Sequence, residues 1–245
     1  MHTGVALPSK RPSHRALYLQ VRDALAERIA TGAWKPGSAV ANEIDLAREL
    51  GVSAGTVRKA LEMMEAQRLI TRRQGRGTFV SDQASNEQAA RFRNFRGPDG
   101  ERVSGRLVSV EIAEGAANEQ EVRHLRLSAG DAVYRIRRVR SHAGLNFMVE
   151  DATVPAALFP NLAGKREIAG NITGLAQEYG VLLGKAVERV WPGVPPAATA
   201  QTLGIAPGTT VLLRDRVVFM LDGPPVEWGT SHLHLPGGFY LAEMG

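Results

Sequence analysis

The stretch NEIDLARELGVSAGTVRKALEMMEAQRLITRRQGRGTFV, residues 42–80, decides the fold of the first third of the chain. Apolar residues recur at helical spacing over about 43–50 and again after Ser53, and Gly51 separates the two runs. The Ser53 hydroxyl is suited to cap the helix that follows it, which is the third helix of the chain. Two short helices joined by a glycine-containing turn predict a helix-turn-helix motif.

The end of the same stretch predicts a β-hairpin. Residues 69–73 and 78–80 have the character of short strands, and the tip between them is Gln74-Gly75-Arg76-Gly77. Glycines on both sides of Arg76 let the tip approach a narrow groove, where the minor-groove potential attracts a guanidinium. We interpret the hairpin as the wing of a winged helix-turn-helix. A phosphate-cradling loop is disfavoured, because the third glycine and the strand-loop-helix context of such loops are missing.

An amphipathic helix is predicted upstream of this stretch. Leu17, Val21, Leu25 and Ile29 recur every four residues, and Gly32 follows them. We therefore expect a helix over 17–31 that ends at the glycine.

The third helix leaves a polar surface at its N-terminal turns. A recognition helix enters the major groove by these turns, where short side chains allow close approach and an arginine reaches a base edge or a phosphate. The alternative is an ordinary solvated face. The residues in question are Ser53, Ala54, Gly55, Thr56, Arg58 and Lys59.

The excess of positive over negative charge is confined to the first third of the chain. Residues 1–82 contain 13 Lys and Arg against 8 Asp and Glu, whereas residues 83–245 contain 17 of each. This distribution is expected if only the first third meets a polyanion, although a solvated basic face would show it too.

The run from Tyr18 to Val80 resembles the DNA-binding domain of the GntR family of bacterial transcription regulators. The resemblance is carried by TGAWKPG, by the helical stretch quoted above and by GRGTFV. It implies contacts with a double-stranded DNA operator from Asn42, Glu43, Ser53, Thr56, Arg58, Gly75, Arg76 and Gly77.

Two departures from the family pattern bear on the operator. Val40-Ala41-Asn42-Glu43 stands where Leu-Pro-Ser-Glu is common, and Ala54 stands where a basic residue is common. Since the missing cation removes a phosphate or guanine contact, the operator need not match the usual family sequence.

The rest of the chain contains an internal repeat. Residues 129–155 align with residues 206–236, so that Gly130 falls on Gly208 and Arg138 on Arg216 at an offset of 78, and Val149-Glu150 falls on Val226-Glu227 after a shorter turn. Each copy predicts two strands joined by a hairpin, preceded by a helix at about 116–123 or 195–203.

Strand alternation places Tyr134, Ile136, Arg138 and Arg140 on one face of the first repeat. An unpaired buried guanidinium would be costly. Arg138 is therefore expected either to form an ion pair with Glu150 or Glu227 that closes the sheet, or to line a small-molecule pocket. In such a pocket Arg138 and Arg140 would hold an anionic group, and the two glutamates would hold hydroxyls or amines.

Residues 90–235 resemble the UTRA effector-binding domain of the HutC branch of the GntR family, whose fold is similar to that of chorismate lyase. The resemblance rests on RRVR before Glu150, on VPAALFPNL (154–162), on LGIAPGTTVLLRDRV (203–217) and on PPVEW (224–228). It implies effector contacts from Arg138, Arg140, Glu150 and Glu227.

The second domain also departs from its family pattern. Asn171-Ile172-Thr173 stands where Ser-Leu-Tyr is usual, and Leu233 stands where an aromatic residue is usual. We therefore expect a smaller, less polar pocket, and phosphosugar effectors are in doubt.

The sequence as a whole predicts an α+β protein, with a winged helix-turn-helix joined to an antiparallel-sheet domain of chorismate lyase-like fold. We expect a flexible tail over 1–16, the DNA-binding domain over 17–82, a linker over 83–100 and an effector-binding and dimerisation domain over 101–245. The linker is expected to become ordered near Phe92 and Phe95. No apolar run is long enough to span a membrane. With no cysteine in the chain, a cytoplasmic location is the simplest expectation.

The predicted function is a homodimeric, ligand-responsive regulator that represses transcription from a palindromic operator. An enzyme with a lyase-like domain and a ligand-independent DNA-binding protein are the alternatives. No Ser/His/Asp set has a recognisable spacing, and a metal site at His232 and His234 would lack a third ligand. We therefore expect no catalytic residues, no cofactor and no bound metal.

Overall fold

The computed structural model describes residues 15–85, 92, 94–103, 105–221 and 223–242. Two compact units divide the chain, one up to Gln83 and the other from Ala84 onward. Positions 1–14 of the predicted tail and positions 86–91 and 93 of the predicted linker lie outside the described residues. None of the described helices is long and apolar enough to cross a membrane.

The first unit is a winged helix-turn-helix, as the sequence predicts. Its core side chains Val21, Leu25, Leu46, Val57 and Leu61 are at most 2% exposed. The strands form an antiparallel sheet of order β1-β3-β2. The elements are α1 (Leu17–Ala30), β1 (Ala39–Val40), α2 (Glu43–Leu50), α3 (Ala54–Ala66), β2 (Ile70–Arg73) and β3 (Gly77–Val80).

Local chemistry sets the turn between α2 and α3. Asn42 caps α2, because its side-chain oxygen accepts the backbone N–H groups of Ile44 and Asp45. α2 ends at Gly51, whose φ of +67° is readily adopted by glycine. Ser53 then caps α3 by accepting the N–H of Thr56. Only three residues, 51–53, therefore separate α2 from α3.

The second unit is built on a six-stranded antiparallel sheet of order β5-β6-β7-β10-β9-β8. The strands are β5 (Arg106–Ala116), β6 (Ala132–His142), β7 (Leu145–Pro155), β8 (Leu183–Gly193), β9 (Val211–Met220) and β10 (Pro225–Leu233). The helices are α4 (Glu119–Leu125), α5 (Ile172–Glu178) and α6 (Ala197–Leu203), with short 3₁₀ turns at Ala156–Leu158 and Leu162–Gly164.

The sheet order confirms the internal repeat at the level of its elements. One copy is β5-α4-β6-β7, the other is β8-α6-β9-β10, and they meet where β7 pairs with β10. The residue alignment holds less well in the last strand. Arg138 lies opposite Glu150, whereas Arg216 lies opposite Gly229, two residues beyond Glu227.

The two faces of the sheet bury different partners. On one face Ile136 and Val154 pack with Phe159 and with Leu175 of α5. On the other face Val139 and Val149 pack against Leu203 of α6. The predicted alternation along β6 is confirmed, because all four residues assigned to one face are buried: Tyr134, Ile136, Arg138 and Arg140.

A separate two-stranded antiparallel sheet belongs to this unit as well. β4 (Phe95–Arg96) pairs with β11 (Phe239–Tyr240). Phe92 and Phe95 are both buried, at the positions near which the linker over 83–100 is expected to become ordered. The packed part of the second unit therefore begins before residue 100.

Candidate functional site

The N-terminal turn of α3 presents small groups at the surface of the first unit. The Ser53 hydroxyl oxygen lies 3.2 Å from the backbone nitrogen of Thr56 and 2.9 Å from its hydroxyl oxygen. Gly55 is exposed beside them, and Ala54 is half-buried. These small groups leave room for close approach of another molecule to the start of the helix.

Arg58 is the longest exposed side chain of this turn and is 61% exposed. Its Nε donates to Oε2 of Glu43 at 2.9 Å. Nη2 of Arg72, from β2, lies 3.8 Å from Oε1 of the same carboxylate. Glu43 therefore holds two guanidiniums from different elements. Exposed ion pairs of this kind contribute about 0–1 kcal/mol, so either arginine can exchange the carboxylate for another anion.

Two other predicted DNA contacts have local roles in the free chain. Asn42 uses its side-chain oxygen to cap α2, and its Nδ2 donates to Asp45 at 2.6 Å. The Lys59 ammonium lies 4.1 Å from the centroid of the Tyr18 ring. Both residues remain exposed.

The hairpin tip has the glycine conformations that the sequence indicates. Gly75 and Gly77 adopt φ values of +68° and +103°, which favour glycine. The Arg76 N–H donates to the Arg73 carbonyl at 2.9 Å, and the Arg76 side chain is exposed. The tip is a tight turn that displays one arginine. Arg72 was not assigned to this surface from the sequence, although it lies in the strand that leads to the hairpin tip.

A second cluster of charges is buried in the second unit. Arg138 is fully buried, and its Nη1 lies 2.8 Å from Oε2 of Glu150 and 3.2 Å from Oε2 of Glu227. Its Nε donates to the Ala169 carbonyl at 2.7 Å. Nη2 of Arg140 donates to the neighbouring Gly170 carbonyl. We refer to Arg138, Arg140, Arg214 and Arg216 as the arginine cluster.

The arginines of β9 complete the cluster around the same glutamates. Nη2 of Arg214 donates to Oε1 of Glu150 and to the Ser231 hydroxyl, each at 2.8 Å. Nη2 of Arg216 lies 3.0 Å from Oε1 of Glu227 and 3.3 Å from Oε1 of Glu150. Glu150 therefore accepts hydrogen bonds from three guanidiniums at the centre of the sheet.

Glu188 of β8 lies at the edge of the cluster. Its Oε1 is 3.7 Å from Arg214 and 4.0 Å from Arg216, and its Oε2 accepts the Tyr240 hydroxyl at 2.8 Å. Among the described residues, three carboxylates, those of Glu150, Glu188 and Glu227, therefore lie within ion-pair distance of Arg138, Arg214 or Arg216.

The neighbouring charges decide the protonation of this cluster. Burial alone would raise the pKa of Glu150, but Arg138, Arg216 and Arg214 outweigh it and lower that pKa well below its ordinary value. Burial, and then the adjacent Arg216 charge, lower the pKa of Arg214. An anion placed beside Arg214 would relieve part of this unfavourable environment.

The arginine cluster lines a cavity of about 50 Å³. All four arginines and Glu150 contribute to the lining, together with Asn171 and Thr173. The other walls are apolar and include Phe92, Phe95 and Phe147. Convergent polar groups set among apolar and aromatic walls are typical of small-molecule sites.

The structure combines the two alternatives considered for Arg138. This residue forms the ion pair that closes the sheet, and it also lines the pocket. Arg140 and Glu150 line the pocket as well. Glu227 is fully buried and is not among the lining residues, so its predicted direct contact with a ligand has no support in the geometry.

Sequence reasoning missed several lining residues. Arg216 was aligned with Arg138 in the repeat but was not assigned to the site. Arg214 precedes it by two residues on the same strand face and could have been found by alternation. Phe92 and Phe95 mark where the linker is expected to become ordered, but no signal in the sequence assigns them to the pocket. No group of three or more His, Cys, Asp or Glu side chains is placed to hold a metal within the described ranges.

The two units match two family models. Residues 17–80 match the model described as bacterial regulatory proteins, gntR family, and residues 100–235 match the UTRA domain. The chain belongs to the GntR family and carries a UTRA domain. This regulator is therefore not an enzyme, and the lyase-like alternative is set aside.

Relatives agree with this assignment. The chain is 28% identical over 223 residues to the mannosyl-D-glycerate transport/metabolism system repressor MngR of Escherichia coli, covering 89% of this chain and 91% of the relative. It is 30% identical over 146 residues to the histidine utilization repressor of Pseudomonas putida, covering 59% of each chain, which supports the HutC branch. The crystal structure of PhnF from Mycobacterium smegmatis has the same fold, with a TM-score of 0.52 and 23% identity over 92% of this chain and 99% of that one.

The Glu150 environment predicts that the second unit loses stability in acid. The folded-state pKa of Glu150 lies below its ordinary value of 4.5, so its stabilisation is present above about pH 4.5 and is lost as the pH falls below that. In Glu150→Gln we expect a lower Tm at pH 7, because about 3–5 kcal/mol is lost when one partner of a buried pair is removed. The Tm of this variant should also fall less between pH 6 and pH 3.5.

Thermal unfolding followed by tryptophan fluorescence measures this effect, since Trp191 and Trp228 lie in the second unit. Glu178→Gln is the matched control, because it removes an exposed carboxylate of the same unit. Parallel curves of Tm against pH for Glu150→Gln and the unchanged chain would contradict the prediction.

Proposed function

We propose that this GntR/UTRA regulator acts as a cytoplasmic homodimer that represses transcription from a palindromic operator, and that a small anion bound at the arginine cluster changes its operator affinity. The observation that carries the proposal is that Nη2 of Arg138 and Nε of Arg214, two buried donors beside the cavity, have no hydrogen-bond partner among the described residues. A buried donor without a partner costs roughly 1–3 kcal/mol, and an anion that accepts from it would recover this loss.

The first unit supplies the proposed DNA contacts. The start of α3, with Ser53, Gly55 and Thr56, enters the major groove, and Arg58 exchanges Glu43 for a base edge or a phosphate. Arg76 at the hairpin tip enters the minor groove. Asn42, Glu43, Ala54 and Lys59 complete this surface, and in a dimer the two half-sites lie roughly 34–36 Å apart.

The proposed coupling runs through the start of the second unit. Nη1 of Arg216 donates to the Phe92 carbonyl at 3.3 Å, and the Phe92 and Phe95 rings line the cavity. These residues follow, in sequence, the segment that leads out of the first unit. A ligand that moves Arg216 or these rings therefore acts on the connecting chain, which makes pocket occupancy and operator affinity thermodynamically linked.

Arg58→Ala tests the DNA surface. We expect at least a tenfold loss of operator affinity, because one arginine contact to a base is worth about 1–3 kcal/mol. Arg48→Ala is the matched control, since Arg48 is an exposed arginine paired with Asp45 at 3.1 Å and is not assigned to the surface. Gel-shift titrations with an operator identified by footprinting measure the operator affinity of both variants. Equal losses in the two variants would indicate a general charge effect and contradict the assignment.

A thermal-shift screen with carboxylated and phosphorylated metabolites tests the pocket. A ligand that binds only the folded chain stabilises it by about 2.7 kcal/mol at a concentration of 100 times its Kd. We expect a hit that shifts operator affinity, and we expect Arg138→Gln to lose it. Arg137→Gln, which removes the adjacent arginine on the opposite face, should keep it. An anion that binds without changing operator affinity would contradict the coupling.

Sedimentation of the free and operator-bound protein tests the dimer. Two chains on one operator and symmetric protection of two half-sites are expected. A monomer that protects a single half-site at full affinity would overturn this part of the proposal.

A further inference from the structure

The start of α2 exposes a large apolar side chain next to the surface assigned to DNA. Ile44 is 65% exposed, more than any other large apolar side chain in the part of the chain that the structure describes. The other apolar residues of this helix, Leu46, Ala47 and Leu50, are buried. Ile44 therefore does not contribute to the core of the first unit.

Helix stability does not account for an isoleucine at this position. Isoleucine has a lower helix propensity than alanine, leucine or the unbranched charged residues. The first turn of a helix is stabilised by acidic side chains, and Ile44 lies between two of them, Glu43 and Asp45. The apolar surface of Ile44 is therefore stabilising only when another molecule covers it.

Contacts of α2 with its neighbours place Ile44 on the side of the helix away from α1. Glu49 pairs with Arg28 of α1 at 2.7 Å, so this side of α2 faces α1. With 3.6 residues per turn, Ile44 lies roughly 140° around the helix axis from Glu49. The adjacent Glu43 pairs with Arg58 of α3 at 2.9 Å. Ile44 therefore lies beside the carboxylate that holds the exposed arginine of the proposed DNA surface.

The chemistry of this position favours a base edge over a phosphate as the contact of Ile44. An apolar side chain placed against a phosphate would displace water from the charge without offering a hydrogen bond. In the major groove, the apolar group that a base edge presents is the C5-methyl group of thymine. Ala54, which is half-buried at the start of α3, also offers a methyl group rather than a charge. These side chains match thymine, whereas an arginine in their place would match guanine.

We propose that Ile44 determines operator specificity by contacting the C5-methyl group of a thymine in each half-site. The contact selects thymine because this methyl group distinguishes its edge in the major groove from those of the other bases. The assignment rests on the proposed DNA surface and adds a residue to it. Because the contact involves no phosphate, replacing Ile44 leaves the affinity for DNA of unrelated sequence unchanged.

Deoxyuridine substitution tests the contact, because deoxyuridine pairs as thymidine does and lacks only the C5-methyl group. The full chain is titrated in gel shifts with its footprinted operator, in which one symmetry-related pair of thymines is replaced at a time. We expect one such pair to weaken binding of the unchanged chain by about fourfold per half-site, as estimated for the burial of one methyl group.

Ile44→Ala completes a double-mutant cycle with this substitution. The variant should bind the thymine operator more weakly by about fourfold per half-site or more. Deoxyuridine at the identified pair should weaken its binding no further. Ile44→Val keeps a branched apolar side chain and should keep the sensitivity to deoxyuridine.

Two controls separate this contact from a general effect. Leu145→Ala is the matched variant, because Leu145 is 61% exposed and lies in the second unit, so its operator affinity should not change. Titration with a duplex of unrelated sequence measures the non-specific affinity, which should be equal in the unchanged chain and Ile44→Ala. Circular dichroism confirms that each variant folds.

The contradicting outcomes are distinct. Equal losses from deoxyuridine in Ile44→Ala and in the unchanged chain would overturn the assignment, because another group would then read the methyl. Insensitivity of the unchanged chain at every thymine pair, or equal weakening of Ile44→Ala on the operator and on the unrelated duplex, would also overturn it. If Arg58→Ala still loses about tenfold in affinity, the proposed DNA surface stands without Ile44. Unchanged operator affinity in both Arg58→Ala and Ile44→Ala would contradict the surface itself.

Discussion

The contact between Arg138 and Glu150 is the constraint on which the second unit depends. The two residues lie opposite each other on β6 and β7, and on its other side Glu150 lies opposite Ser231 of β10, where the two repeats meet. Each charge is removed from water, and burial of an unpaired charge is expensive. The sheet therefore tolerates this contact only if arginines from the second repeat complete it, as Arg214 and Arg216 do.

The same requirement shapes the proposed binding site. Three carboxylates hold Arg138, Arg214 and Arg216 in place, and the Gly170 carbonyl accepts from Arg140. Preorganised donors reduce the entropy that a ligand must lose on binding. Ion pairing and pocket lining, which the sequence presents as alternatives for Arg138, are both found in one buried cluster.

The ion pairs on the surface of the first unit are exposed, in contrast with the buried pairs of the second unit. Glu43 pairs with Arg58 and lies near Arg72, but the arginines are exposed and their pairing is weak. Such a pair orients the arginines without preventing an exchange for another anion. Buried ion pairs suit a pocket that must keep its shape, whereas exposed pairs suit a surface that must change partners.

Local sequence patterns determined the elements of both units. Periodicity, the caps at Asn42 and Ser53 and the glycines at 51, 75 and 77 were enough to predict the winged helix-turn-helix, because each of these signals acts within a few residues. The repeat predicted four of the six strands of the second unit, β6, β7, β9 and β10, and alternation placed Arg138 and Arg140 on the buried face of β6. Tertiary structure alone decided how the repeats combine. The pairing of β7 with β10 brings Arg214 and Arg216 to Glu150, and the packing of β4 brings the phenylalanines to the pocket. One of these contacts, between Arg216 and Phe92, joins residues 124 positions apart, and no local propensity encodes such a distance.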